Sequence, residues 1–477
     1  MAFAKEISRL MFGVIVVFIV IIGSASYWAI VGADSILLRE DNPRLVEAEA
    51  SIQRGAIYDR SDNLLVQTRP DENGVLERVY LVPETYSAIG YFSLRYGTSA
   101  TEFAFDDLLR GDTTLEPLQT VIQQDLLHRP QQGSDIRLTL DLTIQQTIVE
   151  SMGGYSGAVV VLSVPDGQVL GLVSLPTYNP NTLDADWDTL IEADGNPFFN
   201  RALQGQYQPG GMLQTPLMVA GILINQPFDV VTSNATRPLM IDGQQITCAT
   251  QPDEQDLSYQ QSYAFGCPFP FSLLADELSS ESISNIIQAF RLDSPTTITG
   301  FTFDEQPITP EITPEPIAEE TLADYLIGQG DLTINPLGMA TIVSAIINGG
   351  NAPQPYILDA SRSDDGIWQS ERPITQQSIP MLTTNASRRL RELMRNNTLI
   401  GASTPAARDG LTIGGHTALA ISGEGTQTWF IGYVSLGDQR GVAVALVLEN
   451  TDNAFDAATI GGNILEQATI TLQQPTD

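Results

Sequence analysis

Few residues in this chain can do chemistry, which makes those present informative. Of 23 basic residues only Lys5 is a lysine; the others are arginines. A mechanism that needs a lysine amine must use Lys5 or do without. Histidine occurs twice, as His128 and His416, and cysteine twice, as Cys248 and Cys267. With no CxxC and no Cys/His cluster, a zinc site is not expected. The carboxylates between Asp304 and Glu320 lack helical or metal-ligand spacing and read as a solvated, Pro-rich loop. Asp166 sits in Pro165-Asp166-Gly167, where a hairpin turn accounts for it. The sequence therefore predicts no metal and no cofactor. A net charge of −34 argues against a nucleic-acid partner, because phosphates would be repelled.

The elements that must position these residues begin with Met11 to Gly32, an apolar run long enough to cross a bilayer as a helix. Lys5 and Arg9 precede it and acidic residues follow it. The expected layout is a cytoplasmic tail at 1–10, a membrane anchor at 11–32 and an extracytoplasmic remainder. A cleaved signal peptide is the competing reading, opposed by the continuation through Tyr27, Trp28 and Ile30. The only lysine is then stranded in the cytoplasm, and both cysteines lie where a disulfide persists. A Cys248–Cys267 bridge and two reduced, buried thiols are both open at this point.

Beyond a linker at 33–53, Ser51 to Thr68 reads as a hairpin turning at 59–63. Gly157 to Ser163 and Gln168 to Ser174 read as a second hairpin, and Thr428 to Val434 with Gly441 to Glu449 as a third. Helical periodicity marks Leu217–Ile224, Ser280–Phe290, Leu337–Ile347, Ser387–Met394 and Ala457–Leu472. Strands at both chain ends with helices between predict an α+β fold with an antiparallel sheet. The expected domains are 54–132 and 133–477.

Six segments, in order, resemble one family. Arg54-Gly55-Ala56-Ile57-Tyr58-Asp59-Arg60 with Leu64-Leu65 resembles the hairpin that opens the pedestal of class B penicillin-binding proteins. Ser87 to Phe92 with Gly97 and Glu102 is similar to a pedestal signature of the subgroup related to actinobacterial penicillin-binding protein A. Leu138 to Gln145, Gly157 to Asn181, Ile327-Gly328-Gln329-Gly330 with Asn335 to Ala340, and Trp429 to Tyr433 resemble successive parts of the transpeptidase domain. The resemblance implies a pedestal followed by a transpeptidase or serine β-lactamase-like domain, with a five-stranded antiparallel sheet flanked by helices.

Such enzymes use Ser-x-x-Lys, Ser-x-Asn and Lys-Thr-Gly: a nucleophile with its base, a proton relay, and a carboxylate anchor on an edge strand. This chain departs at all three. Pro209-Gly210-Gly211-Met212-Leu213-Gln214 puts Gly211 at the nucleophile position and Gln214 at that of the base. Glycine has no nucleophile, and a glutamine amide is not basic near neutral pH. Thr215-Pro216 suggests a helix that starts a turn late. Gly266-Cys267-Pro268 lacks both polar positions of the second motif. In His416-Thr417-Ala418 the lysine and glycine of the third are replaced. Cys267 and His416 would lie near the old site, so a Cys–His pair is considered, against a Cys267 that is core or bridged.

The motif letters predict no catalytic residue and no enzyme: a penicillin-binding-protein homologue serving as scaffold or regulator in bacterial cell-wall synthesis. The resemblance implies contact with the membrane and with a shape-elongation-division type glycan polymerase, another penicillin-binding protein, or peptidoglycan itself. The alternatives are a D,D-transpeptidase that binds penicillin and works by altered chemistry, and a non-covalent sensor of peptidoglycan fragments.

Overall fold

A computed structural model describes residues 2–30, 49–112, 131–223, 228–241, 243–301, 317, 321–363, 366–373, 378–423, 425–437 and 439–473. His128, most of the 33–53 linker and nearly all of the Asp304–Glu320 loop lie outside the described residues.

The first element is helix α1, Ala2–Ile30. Its apolar side chains from Leu10 to Ile22 are exposed. Among the described residues no helix is long and apolar enough to cross a membrane. The structure therefore lends no support to the anchor expected at 11–32.

Two sheets organise the rest. Strands β1 (Ile57–Tyr58), β2 (Leu64–Pro70), β3 (Leu76–Tyr80) and β4 (Asp135–Leu138) belong to a six-stranded sheet. Helix α2 (Leu142–Met152) then leads into the hairpin β5 (Gly157–Val164) and β6 (Val169–Leu175). Asp141 caps α2, its carboxylate accepting from the backbone N–H groups of Thr143 and Ile144. The helical middle comprises α3 (Leu183–Ile191), α4 (Gln214–Leu223), α5 (Tyr259–Phe265) and α6 (Pro336–Ile347). Strands β7 (Leu358–Arg362) and β8 (Gln369–Ser370) return to the first sheet, whose order is β8-β7-β4-β1-β2-β3. That sheet draws strands from both sides of residue 133. Only β1 and β4 run parallel in it. Helix α7 (Thr384–Ile400), strands β9 (Thr412–Ser422), β10 (Gly425–Gly437) and β11 (Arg440–Leu448), and helix α8 (Ala454–Gln473) finish the described chain.

The second sheet is five-stranded and antiparallel throughout, in the order β9-β10-β11-β5-β6. Its first and last strands come from opposite ends of the chain, as the pattern predicts. Every residue of β5 is buried, which explains its unbroken apolar run: both faces of this strand are covered. Val159 and Val161 pack with α2 and α8, while Ala158, Val160 and Leu162 pack with α6 and α7. The sheet is therefore a fixed partition, with β9 at one edge next to the helical middle.

Candidate active site

Period-two alternation sorts the residues of β9. His416, Ala418 and Ala420 share one face, and Thr417 points to the other. The first face meets the turn Gly210–Leu213, a 3₁₀ segment that runs directly into α4. The helix thus begins at Gln214, and Thr215 lies inside it rather than capping it. The Thr215 hydroxyl is instead 3.0 Å from that of Tyr263 on α5.

The three degenerate motifs come together here. His416 is fully buried, with Nε2 3.0 Å from the Gly211 carbonyl oxygen. A carbonyl only accepts, so Nε2 carries the proton and donates. The ring stacks on Tyr263 with centroids 4.1 Å apart. Burial pulls the His416 pKa down to about 4, although hydrogen bonds to backbone carbonyls pull it up. The imidazole is neutral at pH 7 and its one N–H is committed to Gly211, so it offers a carboxylate neither charge nor a free donor.

Gln214 is buried as well. Its amide nitrogen donates to the Cys267 carbonyl at 3.3 Å, and its oxygen has no partner among the described residues. Cys267 is bridged to Cys248. A disulfide sulfur is not a thiolate, so the Cys267–His416 pair is removed as an acyl-transfer couple. Pro268 precedes the helical turn Phe269–Ser272 and offers no N–H. Thr417 pairs with Ser403, their hydroxyls 2.9 Å apart, on the face of β9 away from Gly211.

Space explains the small residues. A Cβ added to Gly211 would stand 2.5 Å from the Ala418 Cβ and 3.2 Å from the Gln214 amide nitrogen. Gly266 has φ +63°, and a Cβ there would meet the Thr417 carbonyl oxygen at 2.6 Å. Gly211 has no room for a serine while Ala418 is present, and at Gly266 the backbone bars one whatever stands at 418. Gly328 also approaches: its carbonyl accepts from the Gly210 N–H at 2.9 Å, and the Gln329 side-chain oxygen accepts from the Ile421 N–H at 3.3 Å on β9. That second contact occupies a backbone donor on the strand edge. Sequence reasoning tied 327–330 to a family segment but gave no sign that Gln329 would occupy the edge, because glutamine reach is not a spacing signal.

Trp429, Phe430 and Tyr433 are buried core residues of β10, as their strand pattern suggests. The Trp429 indole N–H donates to the Gln208 carbonyl at 3.1 Å. No group of three or more potential metal ligands occurs among the described residues.

A five-stranded antiparallel sheet partitioning two cores, with three motif segments meeting at its β9 edge, is the arrangement the family resemblance implies. Residues 157–468 match the penicillin-binding protein transpeptidase domain, and the chain belongs to that family. Across 97% of its length it is 27% identical to the peptidoglycan D,D-transpeptidase PbpA of Mycobacterium tuberculosis, covering 98% of that protein. It is 26% identical to the peptidoglycan D,D-transpeptidase MrdA of Haemophilus influenzae over 55% of the chain and 43% of that relative. Among solved structures it resembles the imipenem acyl-enzyme complex of M. tuberculosis penicillin-binding protein A, with TM-score 0.76, 26% identity, and coverage of 88% of this chain and 99% of that one.

These relatives correct the expectation that the chain is not an enzyme. Nearly end-to-end likeness to PbpA, a protein named for D,D-transpeptidase activity, overturns it. The motif letters show which groups are absent from three positions. They do not show that the reaction class is absent.

Proposed function

We propose that this chain works in peptidoglycan synthesis as a D,D-transpeptidase that acts on stem peptides by altered chemistry, without a seryl ester at position 211. The observation that carries the reading is the likeness to PbpA over 97% of the chain. The retained β9 strand beside the helical middle supports it, since an extended peptide pairs with a strand edge.

Gly211, Gln214, Gly266, Pro268, His416 and Ala418 bring neither hydroxyl nor amine, so acyl transfer draws on a group outside them. Two hydroxyl pairs flank the motifs, Thr215 with Tyr263 and Ser403 with Thr417. His416 serves this reading by position: its one N–H holds the Gly211 carbonyl and fixes the 210–213 turn against β9. The anchor belongs to the same reading on the sequence alone: the apolar run at 11–32, with Lys5 and Arg9 before it, would hold residues 1–10 inside, and the chain outside stands beside a glycan polymerase or another penicillin-binding protein. A reporter fused after residue 33 is then active only in its periplasmic or extracellular form; activity of the cytoplasmic form removes this topology.

The functional test uses the full chain in detergent with a donor stem pentapeptide and an amine acceptor. Release of the terminal D-alanine with formation of the cross-linked product is expected. Neither product at any enzyme concentration overturns the reading. Saturable stem-peptide binding without product replaces it with the non-covalent fragment sensor.

A further inference from the structure

A second cavity lies away from the motif cluster, between the 87–100 segment and the loop after α3. It encloses about 290 Å³, near the lower end of small-ligand pockets. Aromatic rings dominate its wall: Tyr91, Tyr178, Trp187 and Phe198, with Ser99 and Gln204 among the polar groups. The rings are held in place by one another. Trp187 stacks on Tyr96 at 3.8 Å and tilts against Phe198 at 5.0 Å, and Tyr91 meets Tyr178 edge-on at 5.9 Å. An open groove of about 570 Å³ shares Phe198, Phe199 and Gln204 with this cavity, so the two adjoin.

Three features define the occupant. First, no lining residue of either space is charged, so a phosphate or carboxylate would find no counter-ion there. The exposed rim adds Asp186, Asp188, Glu192 and Asp194, which repel anions. Second, flat rings with a few polar groups suit a ligand with an apolar face and a hydroxylated edge. Third, donors remain unused. The Gln204 side-chain oxygen accepts from the Asn200 N–H at 2.9 Å, while its amide nitrogen has no acceptor among the described residues. An acetamide carbonyl or a ring hydroxyl would supply one.

We infer that this cavity and groove bind a neutral glycan, one N-acetylhexosamine ring in the cavity and its neighbour in the groove. This rests on the peptidoglycan reading for the identity of the glycan, and it adds a sugar-binding site separate from the stem-peptide site. The acidic rim selects polymerised, uncharged glycan over diphosphate-linked sugar.

Titration calorimetry of the full chain in detergent with chitotetraose tests it. Saturable binding is expected, weakened about tenfold or more by Trp187→Ala and by less than about threefold by Trp187→Phe. Gln204→Glu should also weaken it, by adding a charge where none is matched. If Trp187→Ala lowers the melting temperature, Phe199→Ala carries the test, since Phe199 is 40% exposed and lines the groove. Absence of saturable heat, affinity unchanged in both alanine variants, or preference for a diphosphate-linked sugar would overturn the inference. Chitotetraose has no peptide and the transpeptidation assay with free peptides has no glycan, so either reading can fail while the other stands.

Discussion

His416 shows how burial sets chemistry at a single residue. Its folded pKa of about 4 lies below the ordinary value of 6.5. Between those values the unfolded chain binds the proton and the folded chain does not, so stability falls as pH drops from about 6.5 to about 4 and levels off below. A shift of this size corresponds to about 3 kcal/mol. Urea denaturation across that window should show the loss in the native chain and a smaller one in His416→Gln; equal pH profiles would mean the imidazole is solvated. Gly211 makes a second residue-scale prediction. Gly211→Ser should destabilise by about 1–3 kcal/mol through overpacking against Ala418. Adding Ala418→Gly should recover most of that, and strict additivity of the two changes would deny the contact. The letters at 211, 214, 266, 268 and 416–418 are legible in the sequence. Their mutual closure is not, because it depends on the separation of β9 from the 210–214 turn.

At the scale of elements, the segment leading into β1, strand β3 and the short helix Ala100–Ala104 are tied by buried charge. Glu102 is fully buried and accepts from Arg54 at 3.0 Å and from Arg78 at 2.7 Å, with the Tyr80 hydroxyl at 3.3 Å. Burial pushes its pKa up, but the two guanidinium groups outweigh that and hold it below the ordinary value. Its contribution to stability is present above the unfolded carboxylate range and is lost as pH falls through the folded pKa. Glu102→Gln leaves the buried Arg78 short of a counter-charge, while Arg54 keeps Asp106 at 2.7 Å, and should cost about 3–5 kcal/mol by denaturant titration. Less than 1 kcal/mol would mean the arginines find water instead. Arg54 and Glu102 both stand out in the sequence as parts of short signatures, yet nothing there says that they pair. The disulfide gives a parallel case, with Cys248 and Cys267 separated by 19 residues. Reduction should destabilise by about 3 kcal/mol from loop entropy and loosen α5 next to the motif cluster. Hydrogen exchange at Tyr259–Phe265 reads this directly; unchanged protection would contradict it.

For the whole molecule, strand and helix periodicity were enough to read the α+β layout and the closing of one sheet from both chain ends. The aromatic cavity was not readable. Three of its rings, Tyr178, Trp187 and Phe198, are near neighbours in sequence, but Tyr91 comes from a distant segment, and each carries an ordinary pattern locally. The membership of β7 and β8 in the first sheet was equally hidden, since strands of five and two residues give little periodicity. The family relationship joins these parts: a penicillin-binding protein transpeptidase fold whose motif cluster is closed around a neutral histidine and two glycines.

The central claim is that acyl transfer occurs without a seryl ester at position 211. Intact-mass analysis of the purified full chain after incubation with fluorescent penicillin, followed by peptide mapping, tests it most directly. The account predicts a single penicilloyl adduct on a residue outside 211, 214, 266, 268, 416 and 418, blocked by prior incubation with stem pentapeptide. An unmodified mass at saturating penicillin, together with no turnover of stem peptide, would contradict it.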